Sequence, residues 1–590
     1  MTSEHNTRLI TLRAAIASRG LDGFLVPRAD EHLGEYVPES AERLAFITGF
    51  TGSAGLAIIL KDRAAVWSDG RYTLQLQQQT DGALWERLHI IETKPEDWLK
   101  QHAAGLRIGY DPWLISAEGL ARFSATQMVP VRSNPLDEIW TSRPAPPMAP
   151  ALPHDEIFTG ESSTAKRARL GAALREAGQD AAILSDPASL AWLFNIRGAD
   201  VEFTPIALGY ALLFADGAAT LFMAGAKLPA ETRAHLGSEV TLAERSALPA
   251  ALAALAGKTV RYDPAAMPVW FKTTLEQAGA SIAEAVDPVA LPRATKNEVE
   301  QAGARAAHLR DGVAMARFLA WFAKAAPMGG ETEISAAGHL LAERTREQRF
   351  KGESFPAISG ASEHGAIIHY RVTPESNRAI KPNEVYLIDS GAQYLDGTTD
   401  ITRTIWTGPD AAPEAVKDHT TRVLAGHIAL ARAVFPEGVA GAHLDAFARQ
   451  ALWQAGLDYD HGTGHGVGSY LSVHEGPAGI SRASRPVALQ KGMILSNEPG
   501  FYLEGAYGIR QENLILVQPA DFGAQKRKFL RFETLTLAPF DRALINPALL
   551  NTEERGWLND YHARVRAALS PYLTQAPEAL AWLLRATEEI

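Results

Sequence analysis

Cysteine is absent from all 590 residues, which excludes disulfides, thiolate nucleophiles and the cysteine-rich ligand sets of structural zinc. No stretch is long and apolar enough to span a bilayer. The start, Met1-Thr2-Ser3-Glu4-His5-Asn6-Thr7-Arg8, lacks the basic region and unbroken apolar core of a signal peptide. A soluble, cytoplasmic protein without a membrane partner is expected. A basic excess is missing too, and the net charge of −11 argues against nucleic acid as a partner. Phe46-Ile47-Thr48-Gly49-Phe50-Thr51-Gly52-Ser53-Ala54-Gly55 is glycine-rich but lacks the Lys-Ser/Thr ending of a phosphate-binding loop, so it reads as turn chemistry.

What is present suffices for several cores, with 46% hydrophobic residues. The proline-dense run from Arg143 to Pro153 is unsuited to helix or central strand and reads as a linker. A softer boundary, Asp287-Pro288-Val289-Ala290-Leu291-Pro292, precedes a long helical pattern from Lys296 to Ala323. The expected segments are 1–145, 155–290, 291–525 and a C-terminal extension, 526–590, that begins near Lys526-Arg527-Lys528 and packs on the preceding segment. The first two echo each other: Leu12-Arg13-Ala14-Ala15-Ile16 with Gly20-Leu21-Asp22-Gly23-Phe24-Leu25 resembles Leu170-Gly171-Ala172-Ala173-Leu174 with Gly178-Gln179-Asp180-Ala181-Ala182-Ile183. Each reads as helix, glycine stop and buried strand, which is α/β text.

Five potential metal ligands follow in order: Asp389, Asp400, His465, Glu498 and Glu512. One imidazole with four carboxylates is too oxygen-rich for structural zinc and suits a hard or borderline ion such as Mn²⁺. Two divalent cations would neutralise the four acids. Val385-Tyr386-Leu387-Ile388-Asp389 and Thr399-Asp400-Ile401-Thr402-Arg403 read as strands, whose antiparallel pairing would set Asp389 beside Asp400. Glu498 and Glu512 flank a turn at Glu504-Gly505-Ala506 and repeat the device. Between the pairs, the glycines of His461-Gly462-Thr463-Gly464-His465-Gly466-Val467-Gly468 allow close backbone approach while imidazoles point inward.

These stretches, with Val473-His474-Glu475-Gly476-Pro477, Asn497-Glu498-Pro499-Gly500 and Gly508-Ile509-Arg510 before Glu512-Asn513, resemble the pita-bread metallopeptidases. Within them the match is to the long, three-domain Xaa-Pro aminopeptidases. Gln511 departs from the pattern, where an apolar residue is expected. The resemblance implies two creatinase-N-like α/β domains, then an α+β pita-bread catalytic domain with curved antiparallel sheet and a short C-terminal extension. It also implies a homodimer acting on peptides that begin Xaa-Pro.

By the same resemblance Asp389 chelates one ion, His465 the other, Asp400 and Glu512 bridge, and Glu498 is both ligand and general base. The cofactor is then a pair of divalent ions, Mn²⁺ expected, with Zn²⁺ or Co²⁺ as alternatives. Two such ions lower the pKa of a shared water and supply hydroxide near neutral pH for attack on the Xaa-Pro amide. His474 would donate to the oxyanion, while His369 and His461 orient the peptide. Arg71, in Ser68-Asp69-Gly70-Arg71-Tyr72, is a candidate substrate contact, with a salt bridge as its plainer role. His364 falls outside the matched stretches and reads as loop. A prolidase-type dipeptidase and a noncatalytic peptide-binding protein of the same fold remain open.

Overall fold

The computed structural model describes residues 4–523 and 527–590. The expected boundary between residues 525 and 526, Lys526, and the opening Met1-Thr2-Ser3 lie outside them.

One compact unit comprises Met1–Glu156 and Glu161–Ala290. It holds two six-stranded sheets of one design. Helix α1 (Glu4–Ser18) leads into β1 (Gly23–Pro27), β2 (Leu56–Leu60), β3 (Ala64–Ser68), β4 (Glu86–His89), β5 (Arg107–Tyr110) and β6 (Gln127–Pro130), in spatial order β4-β3-β2-β1-β5-β6. Helix α2 (Ser163–Glu176) leads into β7 (Ala181–Leu184), β8 (Tyr210–Phe214), β9 (Ala219–Phe222), β10 (Val240–Ala243), β11 (Thr259–Tyr262) and β12 (Ser281–Glu284), in order β10-β9-β8-β7-β11-β12.

In both sheets the two ladders joining the second, third and fourth strands are antiparallel and the outer ladders parallel. The sequence echo is therefore a repeat of topology. Gly20 and Gly178 take φ of 67° and 69° at the same helix-to-strand handover, a conformation suited to glycine. Strands β3 and β7 are buried along their whole length, as their unbroken apolar text requires. The proline-dense stretch has no regular structure until Leu152–Pro153, which pair with Ile196–Arg197.

The second unit comprises Ile157–Gly160 and Leu291–Ile590. Its spine is α3 (Glu298–Met328), five residues longer at its C-terminal end than the apolar pattern predicts. Asn297 caps its start, accepting from the Val299 and Glu300 N–H groups, while the Glu300 carboxylate accepts from the Asn297 N–H. Next come α4 (Glu333–Thr345) and a three-stranded antiparallel sheet in which β14 (Val385–Ser390) lies between β13 (Ile358–Ala361) and β15 (Ile401–Trp406).

Helix α5 (Glu414–Ala431), β16 (Val434–Pro436) and α6 (Asp445–Trp453) precede β17 (Gly464–Gly466), β18 (Glu475–Ile480), β19 (Ile494–Asn497), β20 (Gly500–Leu503), β21 (Tyr507–Arg510), β22 (Asn513–Ala520) and β23 (Phe529–Thr534). Six of these strands form an antiparallel sheet in the order β16-β23-β22-β19-β17-β18. The C-terminal α7 (Thr552–Leu569) and α8 (Pro577–Ala586) send Leu558, Val565, Leu569 and Leu583 into one core with Val313 of α3 and Leu424 and Ile428 of α5. The tail is part of this core, as its Leu-rich text predicts.

Candidate metal centre

The first acid pair sits differently from what strand text alone predicts, and the second does not. Asp389 and Asp400 are not cross-strand partners: Asp389 faces Thr402, and Ser390 faces Ile401. After Ser390 the chain leaves that ladder to form the short strands Ala392–Tyr394 and Gly397–Thr398 in another sheet. Asp400 returns just ahead of β15 and approaches Asp389 on the diagonal. The second pair follows simple hairpin geometry. Asn497 faces Asn513 and Gly500 faces Arg510. One register runs through both ladders, so Glu498 and Glu512 face each other in the gap between them.

His465, on β17, brings the sets together. Its Nε2 is 3.4 Å from Asp400 Oδ2 and 3.5 Å from Glu498 Oε1. Its Nδ1–H donates to the Gly466 carbonyl at 2.9 Å, which turns Nε2 toward the acids. One ligand atom each from Asp400, His465 and Glu512 lies within 4.8 Å of the others. Gly464 allows the approach, since a Cβ there would lie 2.0 Å from the Ser496 carbonyl oxygen.

Burial makes three of the bare acids, Asp389, Glu498 and Glu512, reluctant anions. Asp389, Asp400 and Glu512 are buried, and Glu498 is half-buried. Desolvation pushes Asp389 up to about 6, with the Arg510 charge opposing and Asp400 adding to the rise. Glu512 is held well above the carboxylate range, first by burial and then by Asp400, Asp389 and Glu498. Glu498 is also raised, with His465 and Arg510 opposing its desolvation. Burial pulls His465 down, but Asp400 and Glu498 outweigh it and carry it up to about 9. Asp389 Oδ1 is buried with no hydrogen-bond partner among the described residues. An unpartnered carboxylate oxygen among repelling acids, with the His465 imidazole beside Asp400 and Glu498, is a donor set that divalent cations satisfy once they displace the imidazole proton.

Of the remaining sequence-predicted histidines, His474 and His461 lie beside this cluster. The His474 ring centroid is 4.3 Å from that of His465. His461 has Nδ1 at 4.0 Å from Glu498 Oε2 and Nε2 at 2.9 Å from the Tyr502 hydroxyl. His369 is half-buried and follows Ile368, whose carbonyl accepts from Arg510 Nη2 at 3.4 Å. Arg71 belongs to the other unit, where Asp69 holds its guanidinium in two hydrogen bonds of 3.0 and 2.8 Å and Glu35 lies 3.5 Å away. His364, read as plain loop, instead donates from Nδ1 to the buried Glu333 carboxylate at 2.8 Å.

Several supporting residues escaped the sequence reading. Ser496 Oγ donates to Glu498 Oε1 at 3.1 Å. Arg510 donates to Asp389 Oδ2 and to the Tyr502 hydroxyl, each at 2.6 Å, and through Nε to Thr402 Oγ1 at 3.2 Å. Thr402 in turn donates to Glu512 Oε2 at 2.7 Å, so one chain of hydrogen bonds joins the two acid hairpins.

Arg403 is buried and uses its whole fork: Nε to the Pro539 carbonyl, Nη1 to the Thr402 and Glu512 carbonyls, and Nη2 to Asn513 Oδ1, the Ala538 carbonyl and the Tyr561 hydroxyl, all between 2.7 and 3.2 Å. It also lies 4.3 Å over the Phe540 ring. Behind Glu512, His427 donates from Nδ1 to the Gln511 carbonyl and accepts from Asn513 Nδ2 at Nε2. Burial, then the Arg403 charge, pushes His427 down to about 3. The unexpected Gln511 side chain is buried, and its Oε1 accepts no hydrogen bond among the described residues.

Comparison with known proteins agrees with this geometry. The profile for metallopeptidase family M24 matches residues 302–519, and that for the C-terminal region of this peptidase matches 528–590. Creatinase/prolidase N-terminal domain profiles match 8–135 and 142–300. The chain is 38% identical to aminopeptidase P2 of Arabidopsis thaliana over 94% of its length and 84% of the relative's. It is also 38% identical to a probable Xaa-Pro aminopeptidase P of Coprinopsis cinerea, over 100% and 99%. The crystal structure of X-prolyl aminopeptidase from Caenorhabditis elegans, described as a cytosolic enzyme with a di-nuclear active site, superposes with a TM-score of 0.94 at 33% identity, covering 100% of both chains.

Proposed function

Since this chain belongs to metallopeptidase family M24 and, within it, to the Xaa-Pro aminopeptidases, it is a metal-dependent enzyme that releases the N-terminal residue of peptides with proline second, and we propose that Asp389, Asp400, His465, Glu498 and Glu512 hold its two divalent ions. The observation that carries this reading is the convergence of Asp400, His465 and Glu512 within 4.8 Å beside the unpartnered Asp389 oxygen. When bound, the ions polarise the scissile carbonyl and bring the pKa of a water toward neutral.

The chain's own groups do the rest. Glu498 Oε1 is held by the Ser496 hydroxyl, which leaves Oε2 to take the proton of the attacking water. The bond to proline is a tertiary amide without an N–H, and its hindered nitrogen must be protonated to leave. Glu498 Oε2 returns the proton there. His474, half-buried beside His465, donates to the oxygen that becomes negative. His461, fixed by the Tyr502 hydroxyl, and His369 orient the peptide beyond the scissile bond. For Arg71 the two bonds to Asp69 support a structural role over the substrate contact expected from the sequence.

The oxygen-rich donor set supports Mn²⁺ over Zn²⁺ or Co²⁺ as the working ion. The cytosolic description of the nematode enzyme supports a cytoplasmic location. A homodimer and the segments 1–145, 155–290, 291–525 and 526–590 complete the proposal; the four profile matches support the segmentation. The test measures release of the first residue from an Xaa-Pro-Xaa tripeptide by apo, Mn²⁺-loaded and Zn²⁺-loaded protein. An Xaa-Ala-Xaa peptide and Asp400→Ala serve as controls. Mn²⁺-dependent cleavage of the proline peptide alone, lost in the variant, is expected. Cleavage of Xaa-Pro dipeptides with the tripeptide left intact would transfer the chain to the prolidase class.

A further inference from the structure

We propose that Glu333 is a positioning residue for His369, a role that rests on the peptide-orienting part given to that histidine above. His369 lies between β13 and β14, in a stretch where the only regular structure is the single helical turn Ser362–Ala366. Such a segment holds a side chain still only if something outside it supplies the anchors.

Glu333 supplies them. It is the first residue of α4 and fully buried. An acid in a first helical turn ordinarily faces that helix's own free N–H groups. This one turns to the loop instead. Its carboxylate accepts from the Ala361 N–H at 2.9 Å, His364 Nδ1–H at 2.8 Å, the Tyr370 hydroxyl at 3.0 Å and the Arg378 N–H at 3.3 Å. Its backbone closes the clamp: the N–H donates to the Arg378 carbonyl at 3.1 Å and the carbonyl accepts from Ser359 Oγ at 2.7 Å. Hydrogen bonds to an ionised acceptor are about twice as strong as neutral ones, so one carboxylate gathers donors from residues 361 to 378.

The clamp lands next to the functional side chain. Tyr370, which follows His369, is bonded to Glu333 and lies under the His364 ring at 4.5 Å. Ile368, which precedes it, is bonded to Arg510. The far side of the loop rests on β21 so closely that a Cβ on Gly508 would lie 1.7 Å from the Gly365 carbonyl oxygen. His369 is therefore bracketed by one anchor that also holds a proposed metal ligand and one that does not. Glu333 is the second, and its loss should act on peptide placement rather than on the ions.

The test is a double-mutant cycle on holoenzyme with an Xaa-Pro-Xaa tripeptide, combining Glu333→Gln with His369→Ala and measuring bound metal alongside KM and kcat. Glutamine keeps the volume but presents an amide N–H₂ to donors that need an acceptor. The expected loss in kcat/KM is about tenfold, carried mainly by KM, with metal content unchanged and no further loss when His369→Ala is already present. Losses that multiply in the double variant, or metal content falling with activity, would overturn the assignment. If His369→Ala alone is without effect, the role of the histidine fails first and this inference with it. Should Glu333→Gln not fold, Tyr370→Phe, which removes one of the four donors, takes its place in the cycle.

Discussion

Replacing Arg403 by lysine should destabilise the catalytic unit far more than the conserved charge suggests. The guanidinium serves six acceptors, all neutral. An ammonium has three donors radiating from one point against the five N–H groups of the guanidinium, so at least two hydrogen bonds are lost. Each buried acceptor left empty costs about 1 kcal/mol or more. The weaker contact with Phe540 adds up to about 1 kcal/mol. The total, about 2–3 kcal/mol, is a large share of the ~5–15 kcal/mol by which a typical domain is stable. Urea unfolding of wild type and Arg403→Lys reads this as a lowered midpoint at unchanged slope. One of the acceptors served by the fork is the carbonyl of Glu512, so a Mn²⁺ titration should also show weakened binding. A midpoint within about 0.5 kcal/mol of wild type would mean that water or rotated carbonyls replace the fork, and the reasoning would be wrong.

His562 is buried with Nε2 accepting the Phe540 N–H, and burial, then the Arg403 charge, pushes it from 6.5 down to about 3. The folded state binds fewer protons, so its contribution is complete above pH 6.5 and is lost as pH falls toward 3, about 2 kcal/mol of it by pH 5. Urea midpoints from pH 7 to 4.5 should fall less steeply in His562→Gln, and equal slopes would refute the assignment. Removing the ions with a chelator should lower Tm, since an ion at a hundred times its Kd contributes ~2.7 kcal/mol per site; superimposable melts would count against binding at the acid cluster. Ser496→Ala should lower kcat about tenfold by freeing Glu498 while metal content stays constant; a change in KM alone would contradict that role. Leu569→Ala, in the core shared by α3, α5 and α7, should cost about 2–5 kcal/mol, and a loss below 1 would mean that the tail packs loosely.

The acids and histidines were legible because each carries a local signal: an acid ending an apolar run, or imidazoles among glycines. The partnership of Asp389 with Thr402 was not, because the excursion of residues 392–398 into another sheet breaks a hairpin that strand text reads as continuous. Glu498 opposite Glu512 was recoverable, since a turn lies midway between them. The topology of the two α/β repeats showed in their helix–glycine–strand echo, whereas strand order depended on pairings between distant segments. Glu333, Arg403 and His427 act through partners many residues away, and nothing beside them in the chain announces a buried carboxylate hub, a fully used guanidinium or a neutral imidazole. Gln511 was noticed as a departure, but its unsatisfied amide oxygen needed the surrounding fold to be seen.

The reach of Arg403 also bears on how the protein is made. Its last hydrogen-bond partner, Tyr561, lies 158 residues further along the chain. A nascent chain that has released Asp389, Asp400 and even Glu512 from the ribosome still carries an arginine whose fork is half empty, pulling on the strands that present the acids. The fork of Arg403 is complete only once Tyr561 of α7 has emerged and docked. Fragments produced by premature termination or by clipping ahead of residue 561 would hold every proposed ligand and still lack the tie that sets them. The tail thereby closes a tie that begins at the acid strands, so the last helices of the chain belong to the architecture of the site as much as the strands that carry its acids.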